Sequence, residues 1–241
     1  MKISVVVPAF NEERLLSATL RSIRAATAAF DARGWTWELI VCDNNSTDGT
    51  DEIARAGGAE VVFEPVNQIA RARNTGAASA RGDWLVFVDA DSQPSPGLFE
   101  DVAGEIERGR CLAGGSTVAL ETDRAYAWLF VLCWNALSRV CKWGAGSFVF
   151  CEAAAFRDIG GFSQAFYAGE EIDLFRRLKR LARSRGRGIA ILHRHPLATS
   201  DRKMRLYSWR EQLAFVLKTS LSGGRTLRDK TACFPWYDGR R

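Results

Sequence analysis

None of the six cysteines, at positions 42, 111, 133, 141, 151 and 233, stands in a CxxC pair, and only two histidines, His193 and His195, occur. Structural zinc needs four Cys or His ligands at short fixed spacings, so a zinc-stabilised fold is excluded. No aromatic RNA-binding signature is present either, and nucleic acid is not expected as a partner. The cysteines lie mostly in apolar runs, as small buried hydrophobes of a reducing compartment do. A long hydrophobic run is also missing. The most apolar segment, AYAWLFVLCWNALSRVCKW from Ala125 to Trp143, is broken by Asn135, Ser138, Arg139 and Lys142, short of the roughly twenty residues that span a bilayer. It reads as a buried core helix; its tryptophans and terminal cations would also suit a helix in a bilayer interface. The start, MKISVVVPAF, meets Pro8 after a short apolar run and reads as a strand, not a signal peptide. A cytoplasmic protein, at most touching the inner face of a membrane, is expected. No GxGxxG follows that first strand, which argues against a dinucleotide-dependent dehydrogenase.

What is present suits one enzyme-sized globular domain: 241 residues, 47% hydrophobic, 25% charged, with no low-complexity tract. The net charge of +5 is modest but uneven. Arg176 to Arg187 reads RRLKRLARSRGR, and the tail from Arg225 is basic again. Such patches are solvated helix faces or meet anionic lipid or phosphorylated ligands.

Periodicity alternates between strand and helix. ISVVVPAF, WELIVCD, AEVVFEP and DWLVFVDAD are short apolar strands, separated by helical segments beginning at Asn11, Thr50 and Gln68, with Asn11 as an N-cap. That pattern predicts βαβ units and a mostly parallel α/β sheet with right-handed crossovers. The second half is less regular, with helices after Pro96, over the Trp-rich segment and from Glu170, and a last strand GIAILHRHPL. No linker separates the halves. The expected organisation is one domain over 1–200, its nucleotide-binding half about 1–95 and its acceptor half about 96–200, with a basic helical extension over 201–241 packed on it.

Asp43 and Asp89 both stand where an apolar strand stops, at the carboxyl edge where open α/β sheets bind ligands. Asp89-Ala90-Asp91 can surround a hard cation such as Mn²⁺ or Mg²⁺, which leaves coordination sites for substrate phosphates. A turn that uses Asp for its own backbone is the ordinary alternative.

The ordered set VVVPAFNEE, VCDNNSTDGT, ARARNTGAASARGD, WLVFVDADS, GSFVFCEAAAFRDIGGF and GEEIDLFRRL, over about residues 1–182, resembles the family 2 glycosyltransferases of the GT-A fold. The resemblance implies an inverting transfer from a nucleotide-diphosphate sugar to an acceptor hydroxyl, lipid-linked acceptors being among those it allows. Pro8, Ala9, Asn11, Glu12 and Asp43 would line the nucleoside pocket, and a carboxylate at Asp43 suits a uracil N–H. One of Arg71 and Arg73, about 200° apart on a helix, would face the nucleotide; Arg71 is preferred. Asp89 and Ala90 would meet the donor, with Asp91 the metal ligand beside Asp89. His195 could complete the metal shell, and Arg202 or Lys203 could lie over the diphosphate. The base is expected at the Glu170-Glu171 pair, where the family has Glu-Asp. Glu171 shares a helical stripe with Phe175, Leu178 and Ala182, whereas Asp173 lies beside Arg176 and Arg177. Glu171 is therefore preferred, with Glu170 in reserve. Gly144 and Gly146 would let substrate approach the backbone, with Trp143 and Phe148 beside them or in the core. A sugar-nucleotide pyrophosphorylase would carry a Gly-rich signature that VVVPAFNEE lacks. A binding protein that has lost the chemistry would show broken metal acids, and Asp89 and Asp91 are intact.

Overall fold

The computed structural model describes residues 1–120, 122, 125–207 and 209–237. Eight strands form one sheet: β1 (Lys2–Ala9), β2 (Thr36–Asp43), β3 (Glu60–Phe63), β4 (Trp84–Val88), β5 (Ser92–Gln93), β6 (Cys111–Leu120), β7 (Phe148–Glu152) and β8 (Gly188–Thr199). Their spatial order is β3-β2-β1-β4-β7-β6-β8-β5. The first four in that order are mutually parallel; β7 is antiparallel to β4 and β6, so the sheet is mixed and continuous across both halves. The helices are α1 (Leu16–Ala26), α2 (Ala28–Asp31), α3 (Thr50–Ala56), α4 (Ile69–Ser79), α5 (Pro96–Arg108), α6 (Ala125–Cys141), α7 (Ala153–Asp158), α8 (Glu170–Ser184), α9 (Arg202–Leu206), α10 (Trp209–Leu221) and α11 (Phe234–Tyr237).

The unbroken apolar strands are explained by burial on both faces. Along β1 and β4, Ile3, Val5, Val7, Trp84, Val86 and Val88 enter the layer beneath α1, α2 and α5. Val6, Leu85 and Phe87 enter the opposite layer with residues of α4, α7 and α8. The Phe87 ring lies tilted 5.3 Å from Phe156 and edge-on 5.2 Å from Phe162, and each such buried ring is worth about 1.5–3 kcal/mol. Local signals agree with this packing. Helix α5 starts where the Ser95 hydroxyl accepts the Leu98 N–H, with Pro96 in its first turn, and stops at left-handed Gly109.

Two expectations fail. Helix α1 begins at Leu16, and Asn11 does not cap it: Asn11 adopts φ 52° inside a loop. Helix α6 is not a core helix, because Trp128 is 64% and Val140 82% exposed, and Leu129, Phe130, Leu132 and Leu137 are exposed as well.

Register brings the site together. Ala9 pairs with Asp43, Val6 with Phe87 and Val88 with Phe148, so the ends of β2, β1 and β4 and the start of β7 lie side by side. At the far edge β5 pairs with the end of β8, and the Ser200 N–H donates to the Asp91 carbonyl at 3.1 Å.

Candidate active site

On the β1–β2 side, two loops are knitted together by short polar side chains. The Asn11 N–H donates to the Ser46 hydroxyl at 3.0 Å, and Asn11 Oδ1 accepts the Thr47 N–H at 2.8 Å. Asp43 is buried, and its Oδ1 accepts the Ser46 N–H at 3.1 Å, so the side chain bonds the backbone of its own loop. Pro8 and Ala9 are buried in β1, and Asn44 N–H donates to the Ala9 carbonyl at 2.8 Å. Asn44 also donates through Nδ2 to the Glu64 and Val66 carbonyls and accepts the Gln68 N–H at 2.9 Å. This network orders the loop ahead of α4 and was not anticipated; the Asp-Asn-Asn run carried the signal, since Asn bonds neighbouring backbone.

At the centre lies Arg73. Its guanidinium is 1% exposed and donates to Glu170 Oε1 at 2.5 Å, to Asp89 Oδ1 at 2.8 Å and to the Gly146 carbonyl at 2.8 Å. Burial opposes its charge, but Asp89 and Glu170 outweigh that and hold its pKa above the ordinary arginine value. It is Arg73, not the preferred Arg71, that meets these acids: Arg71, on the other side of α4, forms no ion pair among the described residues. The signal was Gly76, three residues after Arg73, because a Cβ at Gly76 would stand 2.5 Å from the Val6 side chain and marks the sheet-facing side of the helix.

Glu170 is spent on this ion pair, and Asp173 on Arg177 at 2.7 Å. Glu171 remains. Its carboxyl lies against Gly146, where a Cβ would meet Glu171 Cδ at 3.4 Å and Arg73 Nη2 at 3.5 Å. The residue is half-buried. Burial first, then the charges of Glu170 and Asp89, push its pKa up to about 8. The expectation that Gly144 admits substrate does not hold, since a Cβ there would stand 2.5 Å from Phe175. Phe148 is buried in the core, and Trp143 is covered by Arg176 at 5.8 Å and Lys179 at 5.3 Å.

Arg202 closes the other side. It donates to both Glu12 carboxylate oxygens, at 2.9 and 2.6 Å, and lies 3.4 Å from Asp91 Oδ2. Burial opposes this charge too, and the Glu12 bonds raise its pKa in spite of it. Ala90 is buried, its carbonyl taking the Thr19 hydroxyl at 2.7 Å. A cavity of about 600 Å³ lined by Asn11, Glu12, Asp48, Arg202 and Leu206 adjoins this bridge. A larger groove of about 860 Å³ between α5 and β8 holds none of the candidate acids. His195 does not join the acids. Its Nδ1 pairs with Asp101 at 3.0 Å, and its ring fills the space where a Gly97 Cβ would stand at 2.6 Å.

For a divalent metal the donor set is carboxylate oxygen, which suits Mn²⁺ or Mg²⁺ rather than a soft metal. Asp89 is tied to Arg73 at 2.8 Å, whereas Asp91 has only the longer 3.4 Å contact with Arg202, so Asp91 fits as the direct ligand. Among the described residues no three His, Cys, Asp or Glu side chains cluster to cage an ion. Metal held here would draw its remaining ligands from water and a bound diphosphate.

The family model described as Glycosyl transferase family 2 matches residues 4–159. The pre-mycofactocin glycosyltransferase of Mycobacterium tuberculosis is 26% identical over 95% of this chain and 49% of its own length. The Escherichia coli UDP-Glc:alpha-D-GlcNAc-diphosphoundecaprenol beta-1,3-glucosyltransferase is 32% identical over 37% of this chain and 34% of its own length. The chain spans about half the length, or less, of these curated relatives. Among solved structures, a mannosyltransferase of Pyrobaculum calidifontis in complex with GDP-Man and Mn²⁺ superposes with TM-score 0.66 at 21% identity, over 98% of this chain and 67% of that one. The glucosyl-3-phosphoglycerate synthase of Mycobacterium tuberculosis, with Mn²⁺, UDP and phosphoglyceric acid, gives 0.60 at 24% identity, over 92% and 76%. The fold is that of these GT-A glycosyltransferases.

Proposed function

Because the chain belongs to glycosyl transferase family 2, we propose that it moves a sugar from a nucleoside diphosphate, UDP in the first instance, to an acceptor hydroxyl with inversion at C1. The observation that carries this reading is the Arg73 hub. It ties up Glu170 and Asp89 and leaves Glu171, of the three acids in the first turn of α8, as the carboxyl in the cleft without a cation of its own. Ionised Glu171 takes the acceptor hydroxyl proton as that oxygen bonds to C1 of the sugar; the bond from C1 to the diphosphate oxygen breaks, and its electron pair leaves with the diphosphate. A proton affinity near the working pH suits that role. Asp43 Oδ2 and the Asn11 loop would hold the base, and Asp89 the ribose side. Mn²⁺ or Mg²⁺ on Asp91 would neutralise charge on the leaving diphosphate. Arg202, poised between Glu12 and Asp91, would add a second cation once those partners turn to ligand.

The reading extends to a cytoplasmic protein of one domain with the 201–241 extension packed on it. Six free cysteines support the reducing compartment. A relative named for a diphosphoundecaprenol acceptor supports a lipid-linked acceptor at a membrane surface. No helix among the described residues is long and apolar enough to cross a bilayer.

Incubating the chain with a panel of UDP- and GDP-sugars, with Mn²⁺, Mg²⁺ or EDTA, should give nucleoside diphosphate release from one donor that EDTA abolishes. Binding of a donor without release under any metal would favour a catalytically impaired sugar-nucleotide binder. Pyrophosphate-dependent release of a nucleoside triphosphate would favour a pyrophosphorylase.

A further inference from the structure

Helix α6 carries its polarity the wrong way round for a core element. Its uncharged polar residues Asn135 and Ser138 face the body: Asn135 donates to the Val118 carbonyl at 2.9 Å and accepts the Val118 N–H at 3.0 Å, and the Ser138 hydroxyl donates to the Trp143 carbonyl at 2.5 Å. Its large apolar side chains, Trp128, Leu129, Phe130, Leu132, Leu137 and Val140, point outward and are exposed. Exposed large apolar side chains gathered on one helix mark a site that meets another phase or partner.

The surroundings are cationic. Residues 125–151 contain no acid, and Arg139 and Lys142 stand at the end of the helix. Arg176 and Lys179 of α8 lie over Trp143, directly after α6. Arg176, Arg180 and Arg183, spaced for one stripe of α8, are all exposed. Among the described residues Arg139, Lys142, Arg176, Arg180 and Arg183 form no ion pair; the neighbouring acids are taken by Arg177, Arg185 and Arg187.

We propose that α6 and the cationic stripe of α8 bind the surface of an anionic lipid bilayer, α6 lying in the plane of the interface. Charge selects this occupant. A second copy would set the same cations against each other across a two-fold contact, whereas anionic headgroups supply the opposite sign. Tryptophan and tyrosine favour the headgroup level, and α6 exposes Tyr126 and Trp128. The consequence for catalysis rests on the sugar-transfer reading above. The segment leaving α6 reaches Gly146, which touches both Arg73 and Glu171, so a bilayer-bound acceptor would enter the cleft from the α6 side.

Sedimentation of the whole chain with phosphatidylcholine vesicles, with and without phosphatidylglycerol, tests the surface. The chain should pellet with the anionic vesicles, with blue-shifted tryptophan emission, and added salt should release it. Each cation neutralised should lower the partition about fivefold, hence about twenty-fivefold for R176Q/R180Q. W128S/L132S should stay in the supernatant while its unfolding midpoint and donor binding match the wild type. Wild type remaining in the supernatant with both vesicles, or W128S/L132S pelleting as well as wild type, would overturn the proposal. So would a wild-type dimer that W128S/L132S converts to a monomer, which would give the face to a second copy. Vesicle binding needs no turnover: an inactive chain that pellets defeats only the transferase reading, and an active one that never pellets defeats only this one.

Discussion

A carboxyl that keeps its proton up to about pH 8 is a weak base at neutrality and an effective one just above it. If Glu171 is the base, kcat/KM should rise with pH and level off above about 8. Glu171→Gln should lower kcat by about 10²–10⁴ and leave UDP affinity unchanged; release assays at several pH values read both, and full turnover by the variant would move the base elsewhere. The same shift has a stability sign. The folded state prefers protonated Glu171, so that stabilisation is complete below the ordinary carboxyl value of 4.5 and is lost as pH rises through about 8. Glu171→Gln, which cannot ionise, should gain stability relative to wild type across that range. At this scale reading by residue type went far. Asp43, Asp89, Asp91 and the Glu pair were visible as acids at strand ends and a helix start. Which of Arg71 and Arg73 would meet those acids was not visible, because two arginines with one residue between them look alike until the sheet-facing side of α4 is known.

Each element places its functional group by the face it buries. Helix α4 lays Ala70, Ala72, Arg73 and Gly76 inward, and its one buried cation meets acids from β4 and α8. Removing one partner of a buried ion pair costs about 3–5 kcal/mol. Arg73→Met should therefore destabilise by about that much in urea unfolding, whereas Arg71→Ala should change stability by less than about 0.5 kcal/mol. Equal effects would mean that the hub is not structural. Helices α5 and α8 and strands β1, β2 and β4 were legible from period and punctuation. The first helix was read too early because Asn11 looks like a cap, yet its side chain serves the Thr47 N–H in the next loop. Helix α6 was misread for a related reason: an apolar composition states what must avoid water, not which body covers it.

For the whole molecule, the sugar-transfer reading puts the metal on Asp91 and the bound diphosphate together, so metal and nucleotide should bind cooperatively. Mn²⁺ alone should raise the unfolding midpoint little and UDP alone modestly, while the two together should exceed their sum; a ligand at a hundredfold excess over its Kd adds about 2.7 kcal/mol. A full shift with Mn²⁺ alone, by thermal scanning, would contradict this. The candidate site is assembled from the ends of β1, β2 and β4, the start of β7, two helices and the segment after β8, so most of its contacts join residues far apart in the chain. Local pattern was enough for the strands, the α/β class and the acidic strand ends, because burial on two faces and turn chemistry act between near neighbours. Which arginine meets the acids, which glutamate it neutralises, where His195 turns and what α6 leaves uncovered were decided by packing alone, since each depends on a partner brought near only when the sheet closes.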